Sequence, residues 1–154
     1  MFTPGNVVYA FCRTTNPPKN KYMISLYRGV DFDLIFSFTT SQNRAGVPEE
    51  QVHHGTIKND KGEPISYVFE AGREIGTSPD GNRFSFPLRT TVTFDYGIIR
   101  TRSNNLITTI DNPEVKCRLD TNEYIGLIYA MMHSPRTPEY CKPLFDQILQ
   151  KLLG

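Results

Sequence analysis

The clearest pattern in this chain is a period-two alternation of apolar and polar side chains from Tyr22 to Gln42. Tyr22, Ile24 and Leu26 share one face, with Met23, Ser25 and Tyr27 on the other. After a turn around Arg28-Gly29, Leu34, Phe36 and Phe38 alternate with Ile35, Ser37 and Thr39. Such alternation in residues rich in Ile, Leu, Phe and Tyr predicts half-buried strands. The stretch is therefore expected to be a hairpin, one face of which another part of the chain must cover. It ends in Thr39-Thr40-Ser41-Gln42, followed by Asn43-Arg44-Ala45-Gly46. Small polar side chains at the end of a rigid strand are well placed to hold a ligand or take part in chemistry.

The remaining pattern extends the sheet. Pro4-Gly5 predicts a turn into a strand over NVVYAFC, where Val7, Tyr9 and Phe11 alternate with Val8, Ala10 and Cys12. The loop RTTNPPKNK follows, and its Pro17-Pro18 pair forbids helix. Residues 43–64 form a long polar connection holding His53, His54 and the turn signals Asn59-Asp60 and Lys61-Gly62. Loops of that length are usually functional or disordered. Strands are expected at Ile65–Glu70, Arg83–Leu88, Thr90–Phe94, Gly97–Arg102 and Leu106–Ile110. Asp80-Gly81 supplies a hairpin turn, and Pro87 marks an edge or bend.

At Asp120 the period changes. Asp120-x-x-Glu123 resembles a capping box, and Tyr124, Leu127, Ile128 and Met131 fall at the spacing of an amphipathic helix. Ser134-Pro135 stops it. Thr137-Pro138 restarts a second helix as N-cap and first helical residue, with Leu144, Phe145, Ile148, Leu149 and Leu152 as its apolar face. The expected fold is mainly β (α+β), a many-stranded antiparallel sheet or small β-barrel closed by a C-terminal helical hairpin. It divides a single domain, 1–154, into a β core over 1–118 and two helices over 119–154.

Composition narrows the function classes. A length of 154 residues suits one domain with a real core. No apolar run is long enough to span a bilayer, and the start MFTPGNVVYAF lacks the form of a secretory signal. Three cysteines without metal-like spacing suggest a reduced, cytoplasmic setting. Net charge is only +1, yet it is unevenly spread. Arg13, Lys19, Lys21 and Arg28 occur without an intervening acid, and Arg83, Arg89, Arg100 and Arg102 face Asp95 alone. Two basic loops flanking one sheet would suit a phosphate backbone; scattered solubilising charge would look much the same.

Pro4-Gly5-Asn6-Val7-Val8, Tyr22–Leu26 and Phe38-Thr39-Thr40-Ser41-Gln42, with Arg44-Ala45-Gly46 beyond, together resemble the MazF/PemK/Kid endoribonuclease toxins of bacterial toxin–antitoxin pairs. The match covers about the first third of the chain, and Phe84–Ile99 fits the later strands loosely. The resemblance implies a closed barrel of the MazF/CcdB kind and a homodimer. It further implies metal-independent cleavage of single-stranded RNA, with no cofactor, and inhibition by an antitoxin protein lying in the same groove. It assigns a role near the scissile phosphate to Thr39 or Thr40. The family's Arg-Pro before the second strand is replaced here by Asn20-Lys21-Tyr22, so Lys21, Lys19 or Arg13 would have to supply the positive charge. Lysine lacks the planar fork that grips phosphate bidentately.

Metal-free RNA cleavage needs a base, an acid and positive donors around phosphorus. The catalytic set is therefore expected to be Thr39, Thr40, Lys21 and His54, with Arg13, Lys19, Ser41, Gln42 and Arg44 binding substrate and no metal site. His53 and His54 equally suit two solvated loop residues. Glu70 and Glu74 around Arg73 form an alternative acid/base pair or ordinary ion pairs. A barrel that binds nucleic acid or protein without catalysis is the alternative function.

Overall fold

The computed structural model describes residues 1–42 and 47–154. Seven antiparallel strands form the main sheet, in the order β7-β6-β10-β1-β2-β3-β9. They are β1 (Asn6–Cys12), β2 (Lys19–Arg28), β3 (Asp33–Phe38), β6 (Gly76–Thr77), β7 (Arg83–Phe84), β9 (Ile98–Arg102) and β10 (Ile110–Leu119). A second, three-stranded sheet pairs β4 (Gly55–Lys58) with β5 (Pro64–Phe69), and β5 with β8 (Thr90–Thr93). A bridge between Thr40 and Thr91 links the two sheets. Three helices complete the fold: α1 (Ser103–Ile107), α2 (Thr121–Met132) and α3 (Cys141–Leu153).

The expected central hairpin is present, with Met23 opposite Phe38 and Ile24 opposite Ser37. Its strands are buried on both faces rather than one. Val7, Ile24, Leu26 and Ile35 join Phe69, Phe86 and the helices in the larger apolar cluster. Val8, Ala10, Met23, Leu34 and Phe36 pack with Phe2 and Leu106 on the other side. The two serines this buries are satisfied: the Ser25 hydroxyl donates to the Phe2 carbonyl and the Ser37 hydroxyl to the Phe38 carbonyl, each at 2.8 Å, which removes most of the desolvation cost.

The fold is mainly β, as expected, but no closed barrel forms among the described residues. The end strands β7 and β9 are not paired with each other. Between the two sheets Phe86 packs against Phe69, with 5.6 Å between ring centroids. The Asp80-Gly81 hairpin does form between β6 and β7, with Gly81 at φ +90°. Gly76 is required where β6 meets β10, because a Cβ there would lie 2.3 Å from the Arg118 carbonyl oxygen.

Three segments depart from expectation. The connection over 43–64 contains strand β4. Leu106–Ile110 is not a strand; Leu106 belongs to the one-turn helix α1, and β10 begins only at Ile110. β10 hides in the sequence because it contains Pro113. The ladder tolerates this proline because the register against β1 slips there, with Asn112 at φ +50°. A bulge needs no amide at that point.

α2 starts where expected, and its face of Tyr124, Leu127, Ile128 and Met131 is buried against both sheets. The capping box does not form. The Asp120 side chain makes no cap bond and instead binds Arg83, while Glu123 turns into the core. α3 begins at Cys141 rather than Pro138. Thr137 is buried, and its hydroxyl has no partner among the described residues. Among the described residues no helix is long and apolar enough to cross a membrane.

Candidate functional site

The hairpin register decides what meets at its open end. With Met23 opposite Phe38, stepping backward along β2 and forward past β3 brings Tyr22 beside Thr39 and Lys21 beside Thr40. The Thr39 N–H donates to the Tyr22 carbonyl at 3.1 Å. On its other edge β2 pairs with β1, setting Tyr9 opposite Tyr22 and Ala10 opposite Lys21. The chain beyond Phe38 then leaves β2 and joins β8, where Thr40 and Thr91 exchange hydrogen bonds of 2.9 and 2.8 Å.

This divergence opens a groove of about 320 Å³. Lys19, Asn20 and Lys21 line one side and Thr39–Gln42 another, with Pro87, Leu88 and Thr90 at the rim. Tyr9 and Tyr22 are also in its lining, their rings 4.5 Å apart and inclined at 47°. Thus Lys19, Lys21, Thr39, Thr40, Ser41 and Gln42, named from the sequence, share one cavity. Asn20 and the tyrosine pair were missed; the alternation groups Tyr9 with Val7 and Phe11, and Tyr22 with Ile24 and Leu26, but does not set the two rings side by side.

The chemistry available is uneven. Thr39 is 6% exposed, and its hydroxyl donates to the Tyr22 carbonyl at 3.3 Å. Its hydroxyl ties the exit of β3 to β2. Thr40 Oγ1 accepts the Gln42 N–H at 3.2 Å and keeps its own proton to donate. The Lys21 ammonium sits 5.5 Å from the Phe38 ring centroid, an arrangement that favours a cation. Burial, and then the neighbouring Tyr9 phenol, push the Tyr22 phenol above its ordinary range, so it stays protonated at neutral pH. Among the described residues lining the groove there is no carboxylate and no imidazole.

His54 is not part of this groove. Its side chain is 9% exposed and lies between β4 and α2. Nε2 is 2.7 and 2.9 Å from the two carboxylate oxygens of Glu123, and Nδ1 accepts the Glu70 N–H at 3.2 Å. That pattern puts a proton on Nε2 and donates it to Glu123, leaving no nitrogen for a substrate. The Tyr67 hydroxyl reaches the same carboxylate at 3.4 Å. Burial and the adjacent Glu123 raise the Tyr67 phenol far above its ordinary range. The imidazole expected to serve as acid or base thus lies outside the groove, as a buried tie between a strand and a helix. The neighbouring His53 ring bonds the His54 carbonyl at 2.9 Å.

Arg13 is likewise elsewhere. It pairs with Asp111 at 2.9 Å, drawn across to β10, and also binds the Thr108 carbonyl. Arg44 lies outside the described residues. Three of the arginines expected to follow a phosphate backbone are taken up locally. Arg83 grips Asp120, Arg89 holds Glu70 and Glu49, and Arg100 holds Asp33 while lying over Tyr140. Their hydrogen bonds hold Asp120 and Asp33 below the usual carboxylate range. Glu70 and Glu74 make ion pairs, with Arg89 and Arg83, rather than an acid/base couple.

Among the described residues no group of three or more His, Cys, Asp or Glu side chains is placed to hold a metal ion. In comparisons with known proteins, no family model, curated protein or solved structure matches this chain.

Proposed function

We propose that the groove between the start of β2 and the exit of β3 binds single-stranded RNA. The observation that carries this reading is the meeting, in one cavity, of Lys19 and Lys21 with the Tyr9–Tyr22 pair and the polar run Thr39–Gln42. Ammonium groups compensate phosphates, tyrosine rings offer faces for unpaired bases, and Asn20 and Gln42 supply amides for base edges. Stacking contributes about 1–3 kcal/mol per base. Two lysine–phosphate contacts predict that log K falls with log salt at a slope of about −1.4.

A second reading, metal-independent RNA cleavage, is favoured by Thr40 and Lys21 lining the same groove. On that reading Lys21 stabilises charge on the phosphate and Thr40 donates to a phosphate oxygen. The two sheets joined at Thr40–Thr91 would be an opened version of the toxin barrel. The protein would act as a cytoplasmic dimer, with an antitoxin covering the groove. The buried position of His54 weighs against it, since the groove then lacks a group titrating near neutral pH.

Anisotropy of a labelled single-stranded RNA, followed across a salt series, tests binding. Incubation of a long RNA in EDTA tests cleavage. Intact RNA bound with the stated salt slope, and weakened in Tyr9→Ala, supports the binding module. Discrete fragments that disappear in both Thr40→Ala and Lys21→Ala support the nuclease. No affinity at low salt overturns both.

A further inference from the structure

The far end of β2 carries a second groove. Lys21 and Arg28 are seven residues apart on one strand, about 23 Å at ~3.3 Å per residue, so the two sites do not overlap. This groove, of about 450 Å³, runs between the sheet and α3. Its size falls in the range of about 300–1,000 Å³ typical of small-molecule pockets.

The lining has two components. The first is apolar: Tyr124 and Leu119, 8% and 5% exposed, together with Leu144, Ile148 and Leu152 at every fourth position of α3. The stripe from Leu144 to Leu152 is about 12 Å long at ~1.5 Å per residue, close to the length of an extended ten-carbon chain. The second is cationic. Arg28, Arg118 and Lys151 line the groove, and no carboxylate does. Among the described residues none of these three forms an ion pair, whereas Arg13, Arg83, Arg89 and Arg100 all do.

The nearby backbone is already satisfied. The Gly5 N–H donates to the Ser25 carbonyl at 2.8 Å, and the Leu119 N–H donates to the Gly5 carbonyl at 2.9 Å. A peptide would find no strand edge to extend at these residues. What the groove offers is an apolar channel and uncompensated positive charge. We propose that it binds a single-chain amphiphile with an anionic head, an alkyl or acyl chain of about ten carbons ending in a phosphate or carboxylate. The cluster of three cations favours the doubly charged head. The inference is independent of the RNA reading.

Calorimetric titration of the full chain with decyl phosphate, decanoate, decanol and hexyl phosphate, all below micelle-forming concentration, tests it. Saturable 1:1 binding is expected for decyl phosphate, at least tenfold weaker binding for decanoate and hexyl phosphate, and none for decanol. Arg118→Ala and Leu152→Trp should each weaken decyl phosphate at least tenfold with an unchanged melting temperature. RNA binding, where present, should be unaffected. Absence of saturable binding overturns the proposal. Equal binding of decanol, or insensitivity to both substitutions, overturns it in favour of unspecific adsorption. A helical Leu/Glu peptide that binds there and resists displacement by decyl phosphate overturns it in favour of a protein partner.

Discussion

His54 and Lys21 end in different surroundings. His54 comes from a polar, turn-rich stretch, yet it ends 9% exposed with both ring nitrogens engaged, one by Glu123 and one by the Glu70 amide. Lys21 comes from a regular strand, yet it ends at the lining of an open groove beside the hydroxyls of Thr39–Gln42. Residue chemistry alone favours the histidine as the reactive group, since an imidazole can both accept and donate a proton. Position reverses that ranking. The imidazole spends its hydrogen-bonding capacity on holding β4 to α2, and the groove is left with donors and cations suited to holding an anion.

The contrast is open to direct attack, and the largest effect is expected at the buried end. Glu123→Ala leaves the His54 Nε2–H and the Tyr67 hydroxyl buried without their acceptor. Losing one partner of such a cluster costs about 3 kcal/mol, read as a lowered urea midpoint. RNA affinity of the folded protein should not change; a parallel loss of affinity would show that the two regions are coupled. Thiol labelling gives an independent readout. Burial pushes Cys117 up to about 12 and Cys141 up to about 11, so neither should react at pH 8 until the core opens, and labelling should be faster in Glu123→Ala.

Lys19→Ala combined with Lys21→Ala should behave in the opposite way. Stability should stay within about 1 kcal/mol of the parent, since Lys19 is exposed and Lys21 is half-buried beside Phe38. RNA affinity at low salt should fall about tenfold and the salt slope should flatten toward zero. A large loss of stability with unchanged binding would show that these lysines serve the fold instead.

The smallest effect belongs to the surface. Arg83 holds Asp120 below the usual carboxylate range, so the folded state binds its proton less readily than the unfolded chain does. The stability this pair contributes is present above the unfolded carboxylate value of about 3.9 and is lost as pH falls through the folded one. Arg83→Gln should therefore be slightly less stable than the parent at pH 7, with the difference shrinking as pH falls below about 3.9, by thermal unfolding. A difference that does not shrink with falling pH would mean that Arg83 acts through packing.

Some of this molecule could be read before it was seen. The hairpin from Tyr22 to Phe38, the Asp80-Gly81 turn and the buried face of α2 all follow from periodicity and turn chemistry. The capping box at Asp120 does not, because each of its carboxylates found a tertiary partner stronger than a helix amide: Arg83 for one and His54 for the other. β10 was invisible because Pro113 argues against a strand unless a bulge accommodates it, and the bulge belongs to the pairing with β1. The groove was half legible. Lys21 and the Thr39–Gln42 run were named, but Arg13 is held at Asp111 and the Tyr9–Tyr22 pair went unnoticed.

Local pattern settles where the central hairpin and the first long helix lie, because alternation and helical spacing act over a few neighbouring positions; it missed β10 and the second buried face of the hairpin, which depend on pairing and packing. It also brings the two ends of a hairpin together, so the lysine and threonine cluster was within reach. Which polar groups are consumed by the fold and which are left for a ligand depends on contacts between residues far apart in the chain. His54 meets Glu123 across 69 positions and Arg13 meets Asp111 across 98. Only packing brings such pairs within hydrogen-bonding distance, and hydrogen bonding at that distance decides which side chains remain available for function.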